Sequence, residues 1–493
     1  MEFWGAAAMI NGLPYDNQSA DTLWKELLLH QFHDILPGSG IARLYTEADA
    51  RVKAVIAQAG AKATEAAAAL VQEDDNAVTI FNSLSFPRQA MVKLPEQFKD
   101  GAVTREGTPV PVEVGNDGVQ AIVSLPSAGS VTLVPATAAV EPADCARVYA
   151  EGDGFVLQNN LLRARINRRG EITSLVLLDS GREFAADAMN RFRFYKDVPR
   201  IFDAWDIDSQ YIDQELPGAE NITVTIACES GLSAALKVTG TISESTFEQT
   251  ISLRADARRV EFDTVVDWRE LHRLLKVSFP AAVYAENGIN EVQFGYVERP
   301  THRSRRYDKD RFEVCNHRYS ALCDGSHGVA VLNDCKYGIS MNGNAMELTL
   351  LRAAASPEMR ADNGIHRFTY AVSPFEGAFA ESDVVRQGLD LNVPAQVVPG
   401  SAETISLVQI DRSNVLLDTL KPAQDGSGDL ILRFYEAQKA ACTARVQTKW
   451  QGKAWICDLL ENKEQEIAND NGNLKLEFGP FEIITVRISP EGR

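Results

Sequence analysis

The chain has 493 residues, 45% of them hydrophobic, enough to bury several cores and to fill three or four domains of about 100 to 200 residues each. A formal net charge of −19, with a pI near 4.9, argues against a general nucleic-acid or anionic-membrane surface and leaves neutral ligands such as sugars open. No stretch reaches the roughly 18 to 20 uninterrupted apolar residues of a membrane helix, and the opening MEFWGAAAMI lacks the basic start of a secretory signal.

In chain order, the first strong pattern is the amphipathic run DTLWKELLL. Trp24, Leu27, Leu28 and Phe32 recur at helical spacing and are expected to bury one face, with Asp21 as N-cap and Pro37-Gly38 as the stop. The run leads into HQFHDILPGSG at 30–40, which delivers His33 and Asp34 at a helix terminus. A neutral imidazole can ligate a divalent metal, and the adjacent carboxylate can take another ligand or the hydroxyls of a sugar. An aspartate at a helix end can equally meet backbone donors of the turn, and both readings stay open on residue types alone. His30 lies about 60° round the helix axis from His33, toward a different neighbour. From 44 to 74 an alanine-rich segment places Leu44, Ala48, Val52, Val55, Ala59 and Leu70 near one face. Thr46 with Asp49 resembles a capping box, and Gly60 leaves the helix dependent on packing.

After EDDN at 73–76 the pattern changes to short apolar alternations split by turn signals. VTIFNSLSFPRQAMVKL, VQAIVSL after Asn116-Asp117-Gly118, and LRARINRRGEITSLVLL read as strands and hairpins. Asn471-Gly472, between EQEIAND and NLKLEF, predicts a late hairpin, and SDVVRQGLDLN at 382–392 a short helix before Pro394. PATAAVEPADCA at 135–146 and NVPAQVVPGSAE at 392–403 read as linkers. Period-2 segments over some 400 residues indicate β-sandwiches. Seven cysteines form no CxxC pair. Cys315, Cys323 and Cys335 sit in apolar, strand-like segments and are expected to be buried reduced thiols. A cytoplasmic protein follows, in which the N-x-S/T strings at Asn17 and Asn221 carry no glycan.

Polar clusters in this β region have two readings each. In FDAWDID at 202–208, Asp203, Asp206 and Asp208 surround Trp205: acceptors and an aromatic plate suit a pyranose, while a turn whose aspartates cap backbone amides needs no ligand. VERPTHRSRRYDKDRFEV at 297–314 is basic in an acidic protein, and a solvated loop paired with its own Asp308 and Asp310 accounts for residues 303 to 310. Asp267, Glu270 and His272, and Asn333, Asp334 and Lys336, sit in apolar strands, and hydrogen bonding within the sandwich is expected to account for them without function.

The string WKELLLHQFHDILPGS resembles the segment by which alpha-mannosidases of glycoside hydrolase family 38 supply a metal-binding histidine. FDAWDID, VDWRELHRLLKVSFP at 266–280, FGYVERPTH at 294–302, GVAVLNDCKYG at 328–338 and FTYAVSPFEG at 368–377 extend the resemblance, in the family's order, from about residue 20 to the C-terminus, most like its cytosolic and bacterial branch. The resemblance implies a mainly β fold with an N-terminal helical segment: a partial three-helix bundle at 1–75, a small β-domain at 76–146, a large mutarotase-like β-supersandwich at 147–395, and a C-terminal β-sandwich at 396–493. It implies that His33 is a ligand of a divalent metal, zinc by family, and that Asp34, Asp206, Asp208, Arg299 and His302 contact substrate. The Arg303–Arg306 stretch departs from the family's aromatic and neutral residues, which weakens a substrate role for that loop.

What precedes the metal motif is too short for an α/β domain, so the family's nucleophile, acid/base and other metal ligands are expected outside this chain. The expected function is the C-terminal half of a metal-dependent retaining alpha-mannosidase acting on mannose-containing oligosaccharides. Its partners are then a missing N-terminal catalytic domain and further copies of itself, with neither nucleic acid nor membrane. The alternative is a non-catalytic carbohydrate-binding or oligomerisation module.

Overall fold

A computed structural model describes residues 1–491 except Asn11, Asn116, Asp117, Ala139, Glu141 and Ala143. The turn expected at Asn116-Asp117 and part of the 135–146 linker therefore lie outside the described residues. The fold is mainly β with an N-terminal helical segment, as the sequence reading has it. Two compact units form: Met1–Gln31 with Ala48–Pro142 and Val393–Arg493, and Phe32–Glu47 with Ala143–Asn392.

The first unit begins with α1 (Glu2–Ile10), which the periodicity did not reveal. Its Trp4 is buried edge-on against Phe81, with centroids 4.8 Å apart, and Ala6 and Ala7 join the same core. Next, α2 (Asn17–Leu29) is capped by Asp16, whose side chain accepts from the Ser19 amide at 3.0 Å. Asp21 is not the cap; it pairs with Lys25 one turn on, at 2.6 Å. The buried face of α2 carries Ala20 and Leu23, whereas Trp24 and Leu28 are 46% and 56% exposed, opposite to the expectation from spacing. In α3 (Ala42–Ala68) only Ala48 and Ala67 are fully buried, and Thr46 lies inside the helix, donating to the Ala42 carbonyl at 3.1 Å instead of capping.

Strand Val78–Asn82 is buried throughout and lies between Gln396–Pro399 and Gly129–Pro135, so the stretch expected as a second linker contributes a paired strand. Gly118–Leu125 alternates as its sequence does, burying Val119, Ala121, Val123 and Leu125, and pairs with Arg88–Leu94. The C-terminal residues build a three-stranded and a five-stranded sheet around Leu432, Phe434, Val446, Leu476 and Val486. The Asn471-Gly472 turn forms at φ 53° and 88°, but its flanking strands join different sheets: Lys463–Ile467 pairs with Gly452–Cys457, and Asn473–Phe478 with Cys442–Thr448. The tight two-residue hairpin turn forms as expected, Asp470 and Asn473 exchanging amide-to-carbonyl bonds at 3.1 Å, but beyond that pair the two strands part into different sheets.

In the second unit, Leu162–Ile166 and Ile172–Leu177 make the expected hairpin within a six-stranded antiparallel sheet. A further six-stranded and a nine-stranded sheet share one core with it, centred on Trp268, Phe262, Phe279, Phe368 and Tyr370. Fully burying each such aromatic is worth about 1.5–3 kcal/mol, which fixes the scaffold under the loops. Two short helices belong here, α4 (Arg306–Lys309) and α5 (Val384–Asn392), the second where the sequence places it. All seven cysteines are free, but Cys315 and Cys335 are exposed and Cys323 is half-buried, so the expectation of buried thiols fails for this trio. Their segments are edge or hairpin-end residues of the sheets, not central strand positions.

Candidate functional site

Two loops of the second unit carry most of the residues singled out in the sequence. The first follows the end of α2. His30 is buried and spends Nδ1 on the Glu26 carbonyl at 2.7 Å, so it belongs to the helix end and is no second ligand. His33 is the opposite case: its side chain is 76% exposed, its ring rests against Phe32, and Nε2 lies 3.5 Å from Asp34 Oδ2. The turn behind it is knitted by its own polar groups. The Tyr45 hydroxyl donates to the Asp34 carbonyl at 2.9 Å and accepts from the Gly40 amide at 2.8 Å, and the Ser39 hydroxyl reaches Asp34 Oδ1 at 3.4 Å. An exposed imidazole on a braced turn is free to meet a ligand; its neighbouring carboxylate is partly engaged at home.

The second loop, 197–214, leaves strand Arg191–Lys196 and is pinned at several points. Buried Asp197 accepts from Arg352 Nε at 2.8 Å, and Arg352 Nη2 donates to the Asp206 carbonyl at 2.7 Å. Burial raises the Asp197 carboxyl above its ordinary range in spite of Arg352. Asp203 accepts from the Ala355 amide at 2.7 Å and contacts His272 Nε2 at 3.0 Å. Burial opposes ionisation of Asp203, yet the Ala355 amide and His272 together hold its carboxyl below the usual value. His272 sits at φ 51°, donates its amide to the Ala353 carbonyl at 2.7 Å, and accepts from the Asp197 amide at 3.0 Å. Beneath, the buried Tyr211 hydroxyl donates to Glu313, which also takes the fully buried Lys276 ammonium; Lys276 reaches Thr349 Oγ1 at 3.1 Å.

The three aspartates of FDAWDID thus divide. Asp203 is structural. Asp206 Oδ1 meets only the next amide, of Ile207, at 2.9 Å, and Asp208 Oδ2 accepts from the Arg200 amide at 3.1 Å. Each keeps acceptor capacity, since an ionised carboxylate has about four lone-pair sites. Trp205 is 54% exposed between them. An open indole flanked by unspent acceptors can hold a pyranose, face to ring and hydroxyl to carboxylate.

The remaining candidates are less open. Arg299 Nη1 donates to Asn290 Oδ1 at 2.8 Å and to the Cys315 carbonyl at 3.3 Å, fastening two strands. His302 is half exposed and lies 3.7 Å from Asp308, which also caps α4 through Arg305; the Arg305 guanidinium holds the Asp308 carboxyl below its ordinary range. Arg305 and Arg311 both lie over the Tyr307 ring. The basic loop is therefore largely paired with itself. Glu270 accepts from Ser245 and from the Glu244 amide, Asn333 bridges the His317 carbonyl and the Lys336 amide, and Asp334 accepts from the Thr369 amide, all within the sandwich as expected.

Asp197, Arg352 and the His272–Asp203 contact were not legible in the sequence. The pairings span 155 and 69 residues, and no local pattern marks them. Among the described residues no group of three or more His, Cys, Asp or Glu is arranged to hold a metal ion. Since zinc takes three or four protein ligands, these residues supply at most a share of such a site.

Comparison with known proteins follows this layout. Residues 1–70 match the Alpha mannosidase middle domain, 157–360 the Glycosyl hydrolases family 38 C-terminal domain, and 414–486 the Glycosyl hydrolases family 38 C-terminal beta sandwich domain. The chain is 34% identical over 483 residues to Alpha-mannosidase 2C1 of Homo sapiens, covering 94% of this chain and 45% of that protein. It is 29% identical over 532 residues to Alpha-mannosidase G of Dictyostelium discoideum, covering 96% and 48%. It thus spans about half the length of the curated relatives it matches. In fold it is similar to the crystal structure of an alpha-mannosidase from Enterococcus faecalis V583, with a TM-score of 0.80 and 15% identity over 99% of this chain and 65% of that one.

Proposed function

Because this chain belongs to glycoside hydrolase family 38, carrying its middle and C-terminal domains, we propose that it works as the C-terminal part of a metal-dependent retaining alpha-mannosidase. The substrates on this reading are alpha-mannosides of glycans or oligosaccharides. The observation that carries it is the succession of three family domains in order along one chain, together with 34% identity to an alpha-mannosidase across 94% of its length. These matches do not favour a free-standing binding or oligomerisation module.

Retaining hydrolysis needs a nucleophilic carboxylate and an acid/base carboxyl about 5 to 5.5 Å apart. We place both in the half of the relatives that this chain does not match. A divalent cation, zinc on this reading, supplies polarisation of sugar hydroxyls when bound. His33 would lend it one imidazole nitrogen from an exposed position, with the other ligands outside the described residues. Asp34, Asp206 and Asp208 would accept hydrogen bonds from sugar hydroxyls, with Trp205 as the stacking plate. Arg299 and His302 would add donors to sugar or to a neighbouring domain. The exposed Trp24 and Leu28 of α2 favour burial against a further copy or domain, since contiguous apolar surface seldom stays open. A reducing, cytoplasmic setting agrees with seven free cysteines, and no described helix is long and apolar enough to cross a membrane.

The test is reconstitution. The purified chain should release no nitrophenol from a nitrophenyl alpha-mannoside above buffer. Co-expressed with the N-terminal half of a relative it should do so, with activity lost on His33→Ala. Hydrolysis by the chain alone would overturn the division of catalytic residues; a reconstituted pair that binds but cleaves no mannoside would overturn the mannosidase reading.

A further inference from the structure

A cavity lies wholly within the first unit, and none of the residues given a site role above lines it. It has a volume of about 600 Å³, in the range of small-molecule sites. Its floor is apolar, formed in part by the buried indole of Trp450 and by Leu407. Its rim is polar: Arg105, Lys449, Gln72 and Glu403 all line it.

Neither Arg105 nor Lys449 makes an ion pair among the described residues, so both keep their charge available at the rim. The Arg105 guanidinium gives one N–H to the Ser401 hydroxyl, which leaves most of its five donors unused. The Lys449 amide is tied to the Leu407 carbonyl at 3.1 Å, which fixes where its side chain starts while leaving the ammonium free. Glu403 is the single carboxylate of the lining, and its side chain likewise has no hydrogen-bond partner among the described residues.

The backbone behind the rim is set rather than loose. Gln72 and Ser401 exchange amide-to-carbonyl bonds at 2.8 and 2.9 Å, and the Thr132 hydroxyl bonds both the carbonyl and the amide of Ala402 at 2.8 and 3.0 Å. Trp450 is held by its amide on the Thr448 hydroxyl at 3.2 Å. Two unpaired cations, a free amide, one free carboxylate and an apolar floor on a braced frame match a ligand that is part anion and part polyol.

We propose that this cavity binds a monosaccharide bearing a phosphate or carboxylate group, the anion held by Arg105 and Lys449 and the hydroxyls by Gln72 and Glu403. A planar guanidinium meets two oxygens of either anion at once, and the ammonium adds a point charge. The apolar face of the sugar ring lies over the floor. Glu403 sets the polarity: it accepts from hydroxyls and repels an anion placed at the wrong end.

Calorimetry on the full chain tests this with four probes: glucose 6-phosphate, glucuronate, glucose and inorganic phosphate. One or both anionic sugars should bind with a Kd of about 1 mM or tighter, which of the two identifying the anion. Glucose should not bind, and inorganic phosphate should bind at least about tenfold more weakly than the sugar phosphate if hydroxyl contacts contribute one or two hydrogen bonds. Arg105→Gln and Lys449→Gln should each weaken binding about tenfold, and Glu403→Gln should tighten it or leave it unchanged. All three positions are exposed, and unchanged circular dichroism and thermal midpoints establish that the variants fold. Equal binding of glucose, equal binding of inorganic phosphate and sugar phosphate, full retention in the double variant R105Q/K449Q, or no binding of either anionic sugar at about ten times the expected Kd would each overturn the proposal.

Discussion

Replacing Asp203 by alanine should loosen the loop at 197–214 while leaving the sandwich beneath it folded. Asp203 accepts from the Ala355 amide at 2.7 Å and contacts His272 Nε2 at 3.0 Å, with its side chain only 18% exposed. Removing the carboxylate leaves a half-buried amide without its acceptor, at about 1–3 kcal/mol, and forfeits a second hydrogen bond worth about 0.5–1.5 kcal/mol net. Partial exposure puts the total toward the low side, about 2–3 kcal/mol of local stability. At one factor of ten per 1.4 kcal/mol, exchange of the Ala355 amide should quicken by roughly 30- to 150-fold. Asp203→Asn keeps one acceptor and should fall in between. Strand amides in Gly364–Glu376, set by the nine-stranded sheet, should not change. The assay is hydrogen exchange read by mass spectrometry on peptides covering both regions. Ala355 exchanging within threefold of wild type in Asp203→Ala would refute the reasoning, because it would mean that the loop is held without this carboxylate.

The same contacts give a pH dependence. The Asp203 carboxyl lies below its ordinary value, so its stabilisation is fully present above about pH 4 and is lost as pH falls through the lower folded value. Trp205 fluorescence should therefore hold steady from neutral pH to about 4 and change below it, and a transition at pH 6 would contradict this assignment. Lys276→Met should cost about 3–5 kcal/mol in urea unfolding, because Glu313 is left with a charge and no cation; K276M/E313Q should recover part of the loss. Gly472→Ala should lower the thermal midpoint sharply: at φ 88° an added Cβ would stand 2.2 Å from the Thr448 carbonyl oxygen, on top of about 1–2 kcal/mol for a left-handed alanine. In sedimentation the chain should self-associate, and Trp24→Ser/Leu28→Ser should shift it toward monomer; a wild type that is monomeric at high concentration would count against the exposed α2 face as an interface.

Local chemistry was readable where a pattern needs only near neighbours. Val119, Ala121, Val123 and Leu125 alternate in sequence and in burial, and the Asn471-Gly472 turn adopts the left-handed angles its residues favour. The turn's geometry was fixed locally, but not what it joins: register between strands depends on partners about 30 residues away, and Asn473–Phe478 found Cys442–Thr448. Helix faces failed for a related reason. Period 3.6 says which side chains share a face, and only the neighbour that arrives decides which face is covered, so Leu23 is buried in α2 and Trp24 is not.

The sequence by itself determined the family, the β-rich composition of the fold, and that His33 and Asp34 stand together at a helix end. Their exposure, the separation of Asp203 from Asp206 and Asp208, and the two unpaired cations over Trp450 were decided only by tertiary structure. Those properties depend on which distant atoms consume a donor or acceptor. A carboxylate facing the distant Ala355 amide becomes a fastening, and an identical carboxylate three residues on, bonded to the amide of its own neighbour Ile207, keeps its remaining lone pairs for a ligand.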